Sequence, residues 1–298
     1  NVTPAPPRLD PWYYSGAKIL SGVTVVDRLV TDDEKWTFLA GLRYQKEKAF
    51  RNHNGKDYTG SYSTSAVSPN VGVMYRLSPE AKLYANYMEG LGNGYFVPRR
   101  YANGGAYLPP QLTKQCEVGV KWDTKKFAGS FSIFSLEQEN AYADVAKVYD
   151  YHGRQKNRGA QVTVFGELSP KFSLTGGLMY LKATQSGGAN DGRELYATPN
   201  WNASLMAEYK ADSNWTAFGR LTYSGSAYLT PANRAKVPAW YRVDVGVQYE
   251  KLLADGKAMR VGLNVFNVLD RRYWCARGND VVALEGPRSI VLTFGYDF

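Results

Sequence analysis

Aromatic and arginine side chains are concentrated in a few glycine-rich stretches of this sequence. The six that best suit contact with a ligand are Tyr95, Phe96, Arg99, Tyr101, Tyr228 and Trp274. Aromatic faces stack on flat groups or hold cations, and guanidinium groups pair with anionic oxygens. This set predicts recognition of a bulky ligand, with no bond made or broken. For each of these residues the alternative is a role without a ligand: the aromatic side chains then lie in the girdle at the strand ends, and the arginine is simply solvated.

No group of residues in the sequence predicts catalysis or a resident metal. Both histidines, His53 and His152, fall in loops, where a lone histidine is more often a surface residue than a ligand. A hydrolase needs a nucleophile and a histidine on adjacent strand faces, and no such pair is visible. Cys116 shares a strand face with Val118 and points outward, whereas Cys275 falls in a loop, so we predict no disulfide between them. We predict neither an enzyme nor a bound cofactor.

The elements that must position these residues are strands joined by connections of two alternating kinds. Tight connections, rich in Asp, Ser, Pro, Asn, Gly and Lys, lie at 31–34, 78–80, 123–125, 169–171, 211–214 and 253–256. Long connections, rich in Gly, Tyr, Asn and Arg, lie at about 51–66, 90–110, 139–153, 185–197, 229–237 and 269–286. Thirteen strands result, at about 17–30, 35–50, 67–77, 81–90, 111–123, 126–138, 154–168, 171–184, 198–210, 214–228, 238–251, 257–268 and 287–298. A transmembrane barrel has short turns on one side and long loops on the other, so the strict alternation favours a barrel.

Side chains along the predicted strands alternate between an apolar face and a small or polar face. In the last strand Ile290, Leu292 and Phe294 share the apolar face. In the strand near 241–249, Tyr and Val residues alternate with polar ones that include Arg242 and Asp244. A packed sandwich core does not tolerate such charges, whereas a wet or plugged barrel lumen accepts them. The pattern therefore predicts an all-β, antiparallel transmembrane barrel whose apolar face meets lipid.

Length and composition agree with one large β domain. The 298 residues are 14% aromatic and include 29 glycines, and long helical patterns are missing. No stretch approaches the roughly 20 apolar residues that a membrane-spanning helix needs. The net charge is +9, but the basic residues are scattered through turns and loops, so we predict no nucleic-acid partner.

The odd number of strands indicates that the barrel is incomplete. A closed single-chain bacterial barrel has an even number of strands, so we expect further strands before the first one. The chain begins NVTPAPPRLD, without an initiator Met or a signal peptide, and we interpret it as mature, trimmed or a fragment. Residues 1–16 are predicted to be a loop or a partial strand, with no second domain in the chain.

The C-terminal region carries a motif of a known family. The segment GLNVFNVLDRRYW is followed by GPR and by a strand that ends on an aromatic residue. It resembles the C-terminal signature of TonB-dependent outer-membrane receptors, through Asn267, Asp270, Tyr273, Gly286, Pro287, Arg288 and Phe298. Four more segments resemble the siderophore-receptor branch of that family. They are SPNVGVMYRLSPEAKLYANYMEGL, LPPQLTKQCEVGVKW, RGAQVTVFGELSPKFSLTGGLMYLKA and VPAWYRVDVGV.

The resemblance implies a barrel of about 22 strands with an N-terminal plug, of which residues 1–298 are the C-terminal part without the plug. It implies an outer-membrane receptor that takes up ferric siderophores and is energised by the TonB complex through the missing plug. Iron then arrives as a chelate. Such a chelate is bulky, often anionic and partly aromatic, which suits the six residues above, and Tyr95, Phe96, Tyr101 and Tyr228 are the preferred contacts.

Several alternatives remain open at this stage. We interpret Asn267 and Asp270 as turn caps, with ligand contact as the alternative, and Phe298 as an assembly signal, a girdle anchor or both. Loop arginines either bind lipopolysaccharide or are solvated. The segment GYFVPRR from Gly94 lies where haem receptors carry an F-R-A-P motif but does not match it, so haem is a minor alternative. A small passive outer-membrane porin is the alternative function.

Overall fold

The computed structural model describes residues 16–53, 56–253, 256–278 and 280–297. Within them the chain is almost entirely β-strand, with one 3-10 turn at Gly188–Asn190. In chain order the strands are β1 Gly16–Val30, β2 Trp36–His53, β3 Lys56–Arg76, β4 Ala81–Leu91, β5 Tyr95–Phe96, β6 Tyr107–Leu108, β7 Leu112–Asp123, β8 Phe127–Ala143, β9 Tyr149–Ser169, β10 Phe172–Ser186, β11 Trp201–Lys210, β12 Trp215–Ser224, β13 Ala227–Tyr228, β14 Lys236–Val237, β15 Trp240–Leu252, β16 Ala258–Phe266, β17 Trp274–Gly278, β18 Val281–Leu284 and β19 Ser289–Tyr296.

Thirteen of these strands form one antiparallel sheet, in which each strand pairs with its neighbours along the chain. The order is β1-β2-β3-β4-β7-β8-β9-β10-β11-β12-β15-β16-β19. The outer edges of β1 and β19 have no strand partner among the described residues, so the barrel wall is not closed. The prediction of a thirteen-stranded antiparallel barrel segment is confirmed. The predicted assembly role of Phe298 and the loop at 1–15 lie outside the described residues.

Some predicted strand boundaries are wrong at the side of the long connections. The regions 51–66 and 139–153 are not loops throughout, because β2, β3, β8 and β9 continue into them as long hairpins. The predicted strands 214–228 and 198–210 are shorter in the structure, which gives Trp215–Ser224 and Trp201–Lys210. Three long connections also contain small hairpins of their own, formed by β5–β6, β13–β14 and β17–β18.

Side-chain and backbone hydrogen bonds close the tight connections. The hydroxyl of Thr124 accepts a hydrogen bond from the backbone N–H of Phe127 at 2.9 Å and donates to the carbonyl oxygen of Phe127 at 2.8 Å. In the next but one turn, a carboxylate oxygen of Asp212 accepts from the N–H groups of Asn214 and Trp215 at 2.8 and 2.9 Å. Short polar residues therefore satisfy the backbone groups that the strands leave unpaired.

The outer face of the sheet is apolar and exposed. In β16 and β19, Leu263 lies opposite Leu292 and Val261 lies opposite Phe294, and Leu292 and Phe294 are 72% and 70% exposed. Ring pairs flank this band at both ends: Trp215 lies 4.9 Å from Tyr249 beside the tight turns, and Tyr180 and Trp201 are 4.9 Å apart beside the long connections. Removal of such a surface from water is strongly favourable, which predicts contact with lipid acyl chains.

The inner face of the sheet is polar, and several of its charged groups have partners. The hydroxyl of Tyr84 donates a hydrogen bond to Glu117, and the ammonium of Lys121 lies 5.0 Å from the centre of the Tyr84 ring. Gly119 lies beneath that ring, where an added Cβ would come within 2.8 Å of it. Within the described part of the chain, no helix is long and apolar enough to cross a membrane.

Candidate ligand-binding site

The connection from 92 to 111 forms a compact hairpin with its own small core. Its strands β5 and β6 pair Tyr95 with Leu108 and Phe96 with Tyr107. Val97 at the turn of the hairpin is fully buried, and its backbone N–H donates to the carbonyl oxygen of Ala106 at 2.8 Å. The hairpin therefore presents its side chains from a defined backbone.

The inner face of strands β1 to β3 holds this hairpin against the barrel wall. The hydroxyl of Tyr107 donates a hydrogen bond to Glu47, and the Tyr107 ring stacks on Tyr62 with the ring centres 4.0 Å apart. The ammonium of Lys18 donates to the carbonyl oxygen of Gly94 and lies 3.9 Å from the Glu47 carboxylate. Glu47 is only 1% exposed, so the hydrogen bond and the ion pair partly compensate a carboxylate that is removed from water, whose Oε2 has no hydrogen-bond partner among the described residues.

The tip of the β8–β9 hairpin packs on the other side of the 92–111 connection. The rings of Tyr101 and Tyr149 stack with their centres 4.6 Å apart, and Tyr95 meets the Tyr149 ring edge-on at 6.1 Å. The amide of Asn103 donates to the carbonyl oxygen of Tyr149 and accepts from the N–H of Tyr149, both at 2.9 Å. We call Tyr95, Tyr101, Tyr107, Tyr149 and Tyr151 the tyrosine cluster.

Burial raises the pKa of three phenols of the tyrosine cluster, those of Tyr95, Tyr107 and Tyr151. Loss of water raises the pKa of Tyr95, which also shares a hydrogen bond with Tyr149. Burial is likewise the main cause that raises the pKa of Tyr107, with the hydrogen bond to Glu47 second, and that of Tyr151, with the charge of Glu139 second. These three phenols therefore offer neutral hydroxyls at physiological pH, beside the ring faces of the cluster.

The structure brings only some of the predicted contact residues together. Tyr95, Phe96 and Tyr101 lie in one hairpin, and Arg99 in the same hairpin is exposed. Tyr228 lies in β13, where its ring faces the ammonium of Lys236 at 4.3 Å, and Trp274 lies in β17. Neither makes a described ring contact with the tyrosine cluster.

Sequence reasoning missed the two wall residues that hold the hairpin. Glu47 is in the extracellular continuation of β2, and Tyr62 is in the part of β3 that was expected to be loop. Tyr62 alternates with serine residues, and this alternation was the signal that could have predicted a strand here. It is weak, because tyrosine and serine differ little in polarity compared with the apolar and polar residues of the other strands. Their roles depend on a partner in the 92–111 connection, far away in the sequence.

Tyr228 and Trp274 belong to a second group of residues around the hairpins β13–β14 and β17–β18. A cavity of about 300 Å³ there is lined by Trp240, Arg242, Tyr273 and Cys275, among others. The Trp240 and Tyr273 rings stack at 4.5 Å, and Arg242 lies 3.0 Å from the carboxylate of Asp244. Part of the positive charge of the guanidinium is thus already balanced by Asp244, which weakens its attraction for an anionic ligand.

The C-terminal signature residues form a hydrogen-bonded turn. Asn267 is 2% exposed, and its amide nitrogen donates to the carbonyl oxygens of Arg271 and Gly286 at 2.9 and 3.2 Å. Its amide oxygen accepts from the N–H of Arg271 at 3.1 Å. Asp270 accepts from the N–H of Arg288 at 2.9 Å. Both Asn267 and Asp270 have positive φ, 52° and 50°, which short polar residues tolerate best.

Metal ligands do not cluster in the described part of the chain. No group of three or more His, Cys, Asp and Glu side chains there could hold a metal ion. Cys116 is exposed on the outer face and Cys275 is buried in β17, and both are free thiols. Burial raises the pKa of Cys275, which keeps its thiol protonated.

The family model for the TonB-dependent receptor-like β-barrel matches residues 3–268. The chain belongs to this family. Its members are receptors and transporters of the outer membrane, as the sequence predicted. The passive porin gains no support from relatives such as FcuA and BauA, which are named as receptors.

Individual relatives of this TonB-dependent receptor barrel cover nearly the whole chain. The ferrichrome receptor FcuA of Yersinia enterocolitica is 31% identical over 295 residues, which are 93% of this chain and 38% of the relative. The ferrioxamine receptor of the same species is 25% identical, over 98% of this chain and 42% of the relative. The crystal structure of BauA, the ferric preacinetobactin receptor of Acinetobacter baumannii, superposes with a TM-score of 0.82 at 29% identity, over 95% of this chain and 43% of that one. The chain therefore spans about two fifths of the length of its relatives.

Proposed function

We propose that this chain is the C-terminal part of the barrel of an outer-membrane receptor that takes up ferric siderophores. A plug and the remaining strands precede it in the complete protein, and the TonB complex energises transport through that plug. The names of the ferrichrome and ferrioxamine receptors support the ligand class. Iron arrives as a chelate, so the barrel needs no cofactor of its own.

One observation carries the proposed ligand contact. The 92–111 connection folds onto the inner face of the wall and sets Tyr95 and Tyr101 beside Tyr149. A ligand that enters the barrel from the side of the long connections passes these rings. Aromatic faces and neutral hydroxyls can hold the organic envelope of an iron chelate, and the exposed Arg99 can pair with an anionic group on it.

Tyr228 and Trp274 are proposed as contacts from the opposite group of hairpins. The Tyr228 ring already holds the Lys236 ammonium, and Trp274 is 51% exposed. The outer apolar face contacts membrane lipid, and exposed loop arginines such as Arg100 meet lipopolysaccharide phosphates. We assign nucleic acid no role as a partner, because the basic residues form no stripe.

Binding and uptake of iron test this proposal in the complete gene product. The double substitution Tyr95→Ala with Tyr101→Ala is expected to weaken binding of the ferric siderophore at least about tenfold, because two ring contacts of about 1 kcal/mol each are lost. Tyr209→Ala, on the outer face beside the tight turns, is the matched control and should leave binding unchanged. Heat-modifiable migration in a gel verifies that each barrel is folded. Unchanged binding in the folded double variant contradicts the site, and failure of the wild-type protein to bind or import any ferric siderophore contradicts the function.

A further inference from the structure

A second cavity, distinct from the tyrosine cluster, lies where the β8–β9 tip faces the connection between β10 and β11. Its volume is about 960 Å³. Gln155 and Gln185 in its lining are direct cross-strand partners on the inner face of the wall. The cavity therefore opens on the same side of the sheet as the 92–111 connection. Its volume matches the upper range of sites that enclose small organic ligands.

Side-chain amides and phenols dominate the polar lining of this cavity. The amides belong to Asn140, Gln155, Gln185 and Asn190, and the phenols to Tyr142 and Tyr196. The Gln185 amide is 7% exposed, and its nitrogen donates to the carbonyl oxygens of Pro231 and Glu194 at 3.1 and 3.3 Å. The Tyr142 hydroxyl donates to the carbonyl oxygen of His152 at 2.9 Å. Both side chains are thus held in place before any ligand enters.

The described lining contains one acidic residue and neither lysine nor arginine. Among the described lining residues Asp144 is the one carboxylic acid and His152 the one basic side chain. Arg154, next to Gln155 in the sequence, lies on the outer face and forms an ion pair with Glu137. The guanidinium of Arg193 donates to the carbonyl oxygen of Ala232. No described cation is therefore part of the lining that an anionic ligand would meet.

The charge of a chelated ferric ion depends on the class of its ligands. Three hydroxamate groups cancel the charge of the ferric ion, whereas three catecholates leave a trianion. A trianion in this cavity would lose its hydration without a compensating cation and would be repelled by Asp144. A neutral chelate presents carbonyl oxygens and amide groups, and the Asn and Gln side chains offer both donors and acceptors to these.

We propose that this cavity binds ferric chelates without net negative charge, of the trihydroxamate class, in preference to trianionic ferric catecholates. The inference rests on the proposed function and specifies its ligand. Gln155 is the residue that sets this preference, because its side chain is on the wall and its cross-strand partner Gln185 is fixed by two backbone carbonyl groups. The nearby Asp144 adds the repulsion of anions.

Binding of two defined probes to the complete gene product tests the preference. The probes are ferrichrome, a neutral ferric trihydroxamate, and the trianionic iron complex of enterobactin, each titrated by quenching of tryptophan fluorescence. The wild-type protein should bind ferrichrome at least about tenfold more tightly. Gln155→Lys should move the ratio of the two affinities at least about tenfold toward the trianion, and Gln155→Glu should move it in the opposite direction. Ser213→Lys and Ser213→Glu, in an exposed tight turn at the far end, are the matched controls and should leave the ratio unchanged.

The outcomes separate this inference from the proposed function. Equal or tighter binding of the trianion by the wild-type protein overturns the preference and leaves the receptor function intact. A ratio that Gln155→Lys does not move, in a barrel with normal heat-modifiable migration, also overturns it. Binding of neither probe, together with the absence of any ferric siderophore uptake, overturns both. Gln155→Asn keeps an amide at this position and should retain the wild-type ratio of the two affinities; a shift as large as that of Gln155→Lys would contradict a role for the charge of this side chain.

Discussion

Two of the long connections, at 92–111 and 267–288, are stabilised in different ways. In the turn at 267–288, Asn267 makes three side-chain hydrogen bonds with backbone groups, and Asp270 makes a fourth. In the tyrosine cluster, ring contacts such as that of Tyr101 on Tyr149 stand beside the hydrogen bonds between elements. A turn whose polar groups are all engaged has little left for a ligand, whereas half-buried rings can still accept one. The turn at 267–288 is therefore a structural motif, whereas the tyrosine cluster is a candidate binding surface.

Substitution of Asn267 should have the largest effect on stability. Asn267→Ala leaves the carbonyl oxygens of Arg271 and Gly286 without this donor, and alanine is strained at positive φ. We expect a loss of about 3 kcal/mol in the free energy of unfolding, measured by urea titration in detergent. Asn267→Asp keeps the acceptor for Arg271 N–H but places an anionic oxygen against the two carbonyl oxygens, so we expect at least as large a loss. A stable Asn267→Ala protein that no longer binds ligand would contradict the structural role.

The strands could be predicted from the sequence because their side chains alternate strongly. Leu292 and Phe294 contrast with Thr293 and Gly295, so the membrane face was visible. The upper half of β3 was missed, since Tyr62 stands among serine and threonine residues and both faces there are polar. Outside the membrane no lipid contacts the strands, so an apolar face is not needed there. The alternation of apolar and polar side chains therefore ends, although the backbone hydrogen bonds between the strands continue.

The candidate site was predictable in its residue types and not in its arrangement. Loop composition pointed to Tyr95, Phe96 and Tyr101, which one hairpin does bring together. The partners Glu47 and Tyr62 lie on the wall, and their contacts with Tyr107 join residues distant in the sequence. The cavity around Gln155 was missed entirely, because isolated amides on strands give no periodic signal.

The next largest loss of stability is expected when Glu47 loses its carboxylate, because that group holds the 92–111 connection on the barrel wall. Glu47→Ala deletes the acceptor of the Tyr107 hydroxyl and the ion partner of Lys18, at a local cost of about 2 kcal/mol. Faster amide hydrogen exchange across residues 92–111 is the expected result. Glu47→Gln keeps an acceptor for Tyr107 and should retain most of the protection. Unchanged exchange in Glu47→Ala would show that ring contacts alone hold the hairpin.

The Tyr149 ring should contribute to ligand binding because it holds the rings of Tyr95 and Tyr101 in place. Tyr149→Ala removes the stacking contact with Tyr101 and the edge contact with Tyr95, each of about 1 kcal/mol, and should weaken binding of the ferric siderophore about tenfold or more. Tyr149→Phe keeps both ring contacts and should bind within about threefold of the wild type. If the phenylalanine variant binds as poorly as the alanine variant, the hydroxyl and not the ring is the important group.

The smallest predicted effect is a difference in pH response between a hydrogen-bonded turn and the tyrosine cluster. Hydrogen bonds from the N–H groups of Asn214 and Trp215 lower the pKa of Asp212 below its ordinary value of 3.8. This stabilisation is present above the unfolded pKa and is lost as the pH falls through the lower folded pKa, so amide exchange near 211–215 should accelerate only below about pH 4. Asp212→Asn should abolish that acid response.

The tyrosine cluster should respond at the opposite end of the pH scale. Burial raises the pKa of Tyr95 and Tyr151 above the ordinary value of 10.0, so the stability that their neutral form contributes is lost only as the pH rises above that value. Tyrosinate absorbance at alkaline pH should therefore appear later for these phenols than for exposed ones, and Tyr95→Phe should remove one late-titrating group. Early titration of both phenols would mean that water reaches the cluster, and the contrast between a wet polar turn and a partly dry ring surface would be lost.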